Sequence, residues 1–137
     1  IAAAIQHPDH GKILDISHDV NQQMGLNDAQ VKLYCCNGYG TPEIVREIME
    51  REKPDMLVCF TDPRFWDFLY RMEHEIRQRI PIGYINVWDA PPVCHWNSNA
   101  YTSCDLIMNI SKQTHVLVKG TLDYVNTIID DIDDKIK

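Results

Sequence analysis

The chain has 137 residues, 45% hydrophobic and 24% charged, the make-up expected of one globular domain with one core. A formal net charge of −7 argues against a dominant nucleic-acid or anionic-membrane surface. No apolar stretch approaches bilayer length and residues 1–5 are too short for a signal-peptide core, so a cytoplasmic protein without a membrane span is expected.

Residues 1–6 read as the tail of a helix, and His7-Pro8-Asp9-His10-Gly11 as a loop. Residues 12–16 form a short strand candidate. Residues 20–30 have no clear period and read as a connection. Residues 31–35 alternate and read as a second strand. Asn37-Gly38-Tyr39-Gly40 is a turn. Thr41 then caps a helix with Pro42 at its first position and Glu43 at the positive end of the dipole. Ile44, Val45, Ile48 and Met49 supply its buried stripe.

Pro54 ends that helix, and residues 56–60 follow as an entirely apolar strand, the pattern of a strand buried on both faces. Asp62-Pro63 repeats the cap-and-proline start. Phe65, Leu69, Met72 and Ile76 then share one face of a helix running to about residue 79. Residues 82–87 are the fourth strand, 89–97 a proline-rich loop, and 104–110 the fifth strand. Ser111 caps a short helix that Gly120 is expected to stop. An amphipathic helix closes the chain, with Leu122, Val125, Ile128, Ile129, Ile132 and Ile136 on one face and Asp130, Asp131, Asp133 and Asp134 on the other. The acidic run is most simply a solvated face. Alternating strands and helices predict an α/β fold, a three-layer Rossmann-like domain with a mostly parallel sheet.

Five cysteines cannot all pair, and free thiols are the simple reading. The spacing of His7, Asp9, His10, His18 and Asp19 matches no zinc pattern, so no metal is expected. Chemistry is sought instead at the carboxyl ends of the strands, where open α/β sheets bind ligands. Asp62 sits there as either a plain helix cap or a carboxylate facing a crevice beside Arg64. Trp88-Asp89 follows the fourth strand. It is either a core indole with a turn aspartate, or a stacking platform with a hydrogen-bond acceptor. His95 and Asn97 lie on the next loop. Gly38 and Gly40 are either a simple turn or a weak phosphate cradle before a helix.

Residues 53–66 and 81–92 resemble the amino-terminal domain of GT-B glycosyltransferases, the retaining, glycogen-synthase-like group. The Lys53-Pro54-Asp55 start, Trp88-Asp89-Ala90-Pro91, Cys104-Asp105-Leu106-Ile107 and Ser111-Lys112-Gln113-Thr114 carry the resemblance. It covers residues 1–119 and sets residues 120–137 apart as a terminal helix packing on the same domain. The resemblance implies the acceptor-side half of a sugar transferase. A nucleotide-sugar would be co-substrate rather than cofactor, and a sugar or glycan the acceptor. A second domain or another copy of the chain would be the protein partner. The positions matching the acceptor cleft are Asp62 and Asp89 as catalytic candidates, with Arg64, Trp88, His95 and Asn97 as binding candidates; Gly38 and Gly40 join the binding candidates only through the cradle reading above. The alternative is a flavodoxin-like binding or interaction module without catalysis.

Overall fold

The computed structural model describes residues 2–3 and 7–136, and two compact units divide it, Ile1–Glu47 and Ile48–Lys137. In the first unit, β1 (Ala2–Ala3), β2 (Ile13–Asp15) and β3 (Lys32–Cys35) form one sheet in the order β1-β3-β2. β1 runs parallel to β3, so Ala2 and Ala3 are strand rather than helix tail. The remainder of that expected helix lies outside the described residues. β2 runs antiparallel to β3, pairing Leu14 with Leu33.

Helix α1 (Ser17–Met24) occupies part of the stretch expected to be a connection. None of its residues is buried, so no apolar period announces it. Polar bonds hold it in place instead. The Val31 N–H donates to Ser17 Oγ at 2.8 Å, and the Asn21 side-chain amide exchanges two hydrogen bonds with the Ala29 backbone. Gly25 ends the helix in the left-handed conformation that glycine adopts without strain. Helix α2 (Pro42–Glu52) begins as expected, with the Ile44 N–H donating to Thr41 Oγ1 at 3.4 Å.

The second unit holds β4 (Leu57–Phe60), β5 (Ile82–Asn86) and β6 (Leu106–Asn109) in the order β4-β5-β6, all parallel. The chain is therefore α/β, with a parallel sheet here and a mixed sheet in the first unit. Register places Val58, Gly83 and Leu106 in one row, and Phe60, Ile85 and Met108 in the next. The opposite face carries Cys59, Tyr84 and Ile107.

The helix expected over residues 62–79 arrives in three pieces. These are a 3₁₀ turn at Pro63–Trp66, α3 (Asp67–Tyr70) and α4 (Glu73–Arg77). Leu69, Met72 and Ile76 are buried as their spacing requires. Phe65 is 45% exposed, because the tighter 3₁₀ winding rotates it off that stripe. Tyr70 of α3 packs edge-on against Tyr84, and Tyr101 of α5 (Ser98–Thr102) stacks on the other side of it. One sheet face is thus covered. The other is not: Val58 is 49% exposed and Phe60 58%, which corrects the expectation that β4 is buried on both faces. Period-two geometry sends Cys59 under the helices and its two neighbours to the opposite side.

Helix α6 runs unbroken over Lys112–Ile136, through the glycine expected to stop it. It opens with a reciprocal cap. The Thr114 N–H donates to Ser111 Oγ at 3.1 Å, and the Ser111 N–H donates to Thr114 Oγ1 at 3.0 Å. Gly120 is there for clearance: a Cβ would lie 2.8 Å from Val93 Cγ2. Among the described residues all five cysteines are free thiols, and no helix is long and apolar enough to cross a membrane.

Candidate functional site

Strand β4 ends at Phe60, and the next residue is strained. Thr61 has φ of 97°, a region that a β-branched residue rarely enters. Its carbonyl accepts a 2.7 Å hydrogen bond from the Tyr84 hydroxyl, and Tyr84 itself is fully buried. One residue earlier, the Phe60 carbonyl accepts from Trp66 Nε1 at 2.9 Å. These bonds fix the chain where it leaves the sheet. Strain of this kind costs about 1–3 kcal/mol and concentrates at functional sites.

Asp62 follows. Its carboxylate accepts from its own turn, the Arg64 N–H at 2.9 Å, and so caps the 3₁₀ segment. The same carboxylate receives the Arg64 guanidinium through Nε at 3.0 and 3.2 Å and Nη2 at 2.6 Å. This fork geometry is the strong form of an ion pair. The Arg64 hydrogen bonds hold the Asp62 carboxyl below the ordinary carboxylate value, against a smaller opposing effect of burial. The guanidinium carbon also lies 5.2 Å from the centre of the Trp88 ring. Asp62, Arg64 and Trp88 therefore form one connected array across the carboxyl ends of β4 and β5.

Trp88 is held from its own side. Its N–H donates to Asn86 Oδ1 at 3.0 Å, and its indole Nε1 to the Ala90 carbonyl at 3.1 Å. Asn86 is fully buried and donates to Asn109 Oδ1 at 3.1 Å, so the ends of β5 and β6 are joined below the platform. Asp89 is exposed. Its backbone carbonyl, not its carboxylate, accepts from Gln113 in the first turn of α6.

Beside this array lies a cleft of about 300 Å³, walled by Pro63, Arg64, Asp67, Tyr70, Trp96, Asn97, Asn99 and Ala100. Trp96 stands 68% exposed at its edge. Asn97 is buried and donates to the Tyr101 hydroxyl at 3.4 Å. The Tyr70 hydroxyl is buried without a hydrogen-bond partner, and burial pushes its ionisation far up. Comparisons with protein-family models, curated proteins and solved structures gave no match. The residues of the rim and cleft are thus the ground on which function can be argued.

Of the candidates named from sequence, the structure brings Asp62, Arg64 and Trp88 together and puts Asn97 in the wall of the adjoining cleft. His95 is engaged elsewhere: its ring packs against that of Tyr124 of α6, tilted by 33° with centres 3.9 Å apart. Gly38 and Gly40 belong to the first unit. Their φ values of 66° and 103° account for glycine as turn residues. Sequence reasoning did not select Thr61, Asp67, Tyr70, Trp96 or Asn99. Only Trp96 carried a usable signal, an indole in a proline-rich loop that offers little core to bury it.

Proposed function

We propose that the unit Ile48–Lys137 is the acceptor-side half of a glycosyltransferase and that its sheet belongs to a Rossmann-like layer. The array of Asp62, Arg64 and Trp88 beside the cleft carries this reading. A sugar ring presents an apolar face and a rim of hydroxyls. Trp96 offers an exposed aromatic surface, and Arg64, Asp67, Asn97 and Asn99 offer donors and acceptors. The reaction breaks the bond between the anomeric carbon of a nucleotide-sugar and its phosphate oxygen. It forms a bond from that carbon to an acceptor hydroxyl, whose proton passes to the departing phosphate oxygen, and the nucleotide leaves. The donor is bound by a second domain. Asp62, already saturated by Arg64, positions rather than accepts protons. Asp89, exposed just after β5, is the catalytic candidate whose carboxylate is not taken up by an arginine.

The test is a fluorescence titration of the chain with short oligosaccharides, nucleotide-sugars and flavin. Oligosaccharides are expected to change tryptophan emission, and Trp96→Ala to weaken that response about tenfold, equivalent to about 1.4 kcal/mol. A response to flavin alone, with none to any saccharide at about 10 mM, a level at which even weak ligands register, would sink the proposal.

A further inference from the structure

The loop after β5 runs along α6. Gln113 donates to the Asp89 carbonyl, Gly120 lies against Val93, Thr121 reaches the Cys94 carbonyl, and Tyr124 meets the His95 ring. The contacts advance together along both segments and end at the 3₁₀ turn His95–Asn97. The second and third residues of that turn, Trp96 and Asn97, are walls of the cleft, and the first, His95, is not.

Winding explains the division. A 3₁₀ segment has three residues per turn, so successive side chains leave it about 120° apart. With the His95 ring on α6, Trp96 and Asn97 take the other two directions. Asn97 is buried, with its amide on the Tyr101 hydroxyl, so it is fixed from within. Trp96 is largely exposed, so the direction of its indole is set mainly by the backbone of the turn.

The holds of α6 on that backbone can be ranked. The Thr121 hydroxyl has one proton to give. It lies 3.0 Å from the Leu117 carbonyl of its own helix and 3.4 Å from the Cys94 carbonyl, so the helix takes the larger share. The His95 and Tyr124 rings, by contrast, are in close contact, and they make the firmer grip.

We propose that Tyr124 is a positioning residue for the saccharide cleft: by holding the His95 ring it fixes the turn that aims the Trp96 indole. This rests on the saccharide reading of the cleft. His95, a binding candidate by sequence, then serves the site from outside it. The gain is preorganisation, since an indole already aimed loses less freedom when a sugar ring docks on it.

The test titrates the full chain and its variants with glucose, mannose and N-acetylglucosamine trisaccharides, read by tryptophan emission. Tyr124→Ala is expected to bind about fivefold more weakly than wild type, the scale of one aromatic contact. Tyr124→Phe keeps the ring and should bind as wild type does. His95→Ala should lose as much as Tyr124→Ala, and the double variant no more than either, because both remove the same contact. Tyr124 is half-exposed and alanine is a good helix former, so the melting temperature should not fall. In proton NMR the His95 ring signals, displaced by the neighbouring Tyr124 ring, should move in Tyr124→Ala and stay in Tyr124→Phe. Wild-type affinity in Tyr124→Ala, a loss shared by Tyr124→Phe, additive losses in the double variant, or a loss that follows a lowered melting temperature overturns the positioning role and leaves the saccharide reading standing. A wild-type chain that responds to none of the trisaccharides overturns both.

Discussion

The Tyr84 hydroxyl donates a 2.7 Å hydrogen bond to the carbonyl of Thr61, and Thr61 sits at φ of 97°. A core side chain thus restrains a strained residue immediately before the rim carboxylate. Tyr84→Phe should cost about 1–3 kcal/mol, because a part-buried carbonyl loses its partner. It should also weaken saccharide binding by freeing the turn that orients Asp62. Tyr70→Phe is the matched contrast. That hydroxyl is buried without a partner, so removing it should leave stability unchanged or raise it by about 1 kcal/mol. Urea midpoints of the two variants check the difference; equal losses would show that the Thr61 bond does not matter.

Asp62 gives the chain a defined acid sensitivity. Its folded carboxyl titrates below the ordinary 3.8, first because of the Arg64 hydrogen bonds. A group depressed in the folded state adds stability at pH above its unfolded value. That contribution is lost as pH falls through the folded value. Asp62→Asn should therefore be less stable than wild type at pH 6. The gap between the two should close below the carboxylate range. Chemical denaturation at a series of pH values reads it directly, and a gap that persists at pH 2 would place its origin elsewhere.

The parts of the fold legible in the sequence are those that local chemistry dictates. Proline after a capping residue marked the starts of α2 and of the Pro63–Trp66 turn, and strand-length apolar runs marked β4, β5 and β6. Asp62, Arg64 and Trp88 were found because each follows a strand directly or nearly so. What was not legible depends on the third dimension. Val58 and Phe60 are as apolar as Cys59, and only the placement of α3 and α5 decides which of them is covered. Trp96 and Tyr70 are apart in sequence, and the bend between the broken helix and the loop makes them walls of one cleft. α1 has no buried residue, so apolar spacing had nothing to report.

Gly120 reverses a common rule. Glycine inside an exposed helix usually costs about 1 kcal/mol relative to alanine. Here a Cβ would meet Val93 Cγ2 at 2.8 Å and Cγ1 at 3.3 Å, and valine is stiff about χ1. Gly120→Ala should lower stability by about 1 kcal/mol, within the usual cost of overpacking. Adding Val93→Ala should return it to wild type or above, since the helix then gains alanine without the clash. Thermal melts of the single and double variants form the cycle. Stabilisation by Gly120→Ala alone would mean that the loop moves away at no cost.

Arg64→Lys separates charge from geometry. Lysine keeps the positive charge but offers a single ammonium where arginine reaches both Asp62 oxygens and lies against Trp88. Lysine keeps the charge beside Asp62 and the backbone N–H that caps onto it, and the side chain at this position is 64% exposed, so the variant should melt close to wild type. Binding should respond differently, because the guanidinium forms both one wall of the cleft and the link from Asp62 to the indole. We expect saccharide affinity to fall about tenfold in Arg64→Lys, or about 1.4 kcal/mol, with at least as large a loss in Trp88→Ala. Matched fluorescence titrations and melts decide it. Undiminished binding by Arg64→Lys would reduce the array to a surface ion pair beside a capped turn.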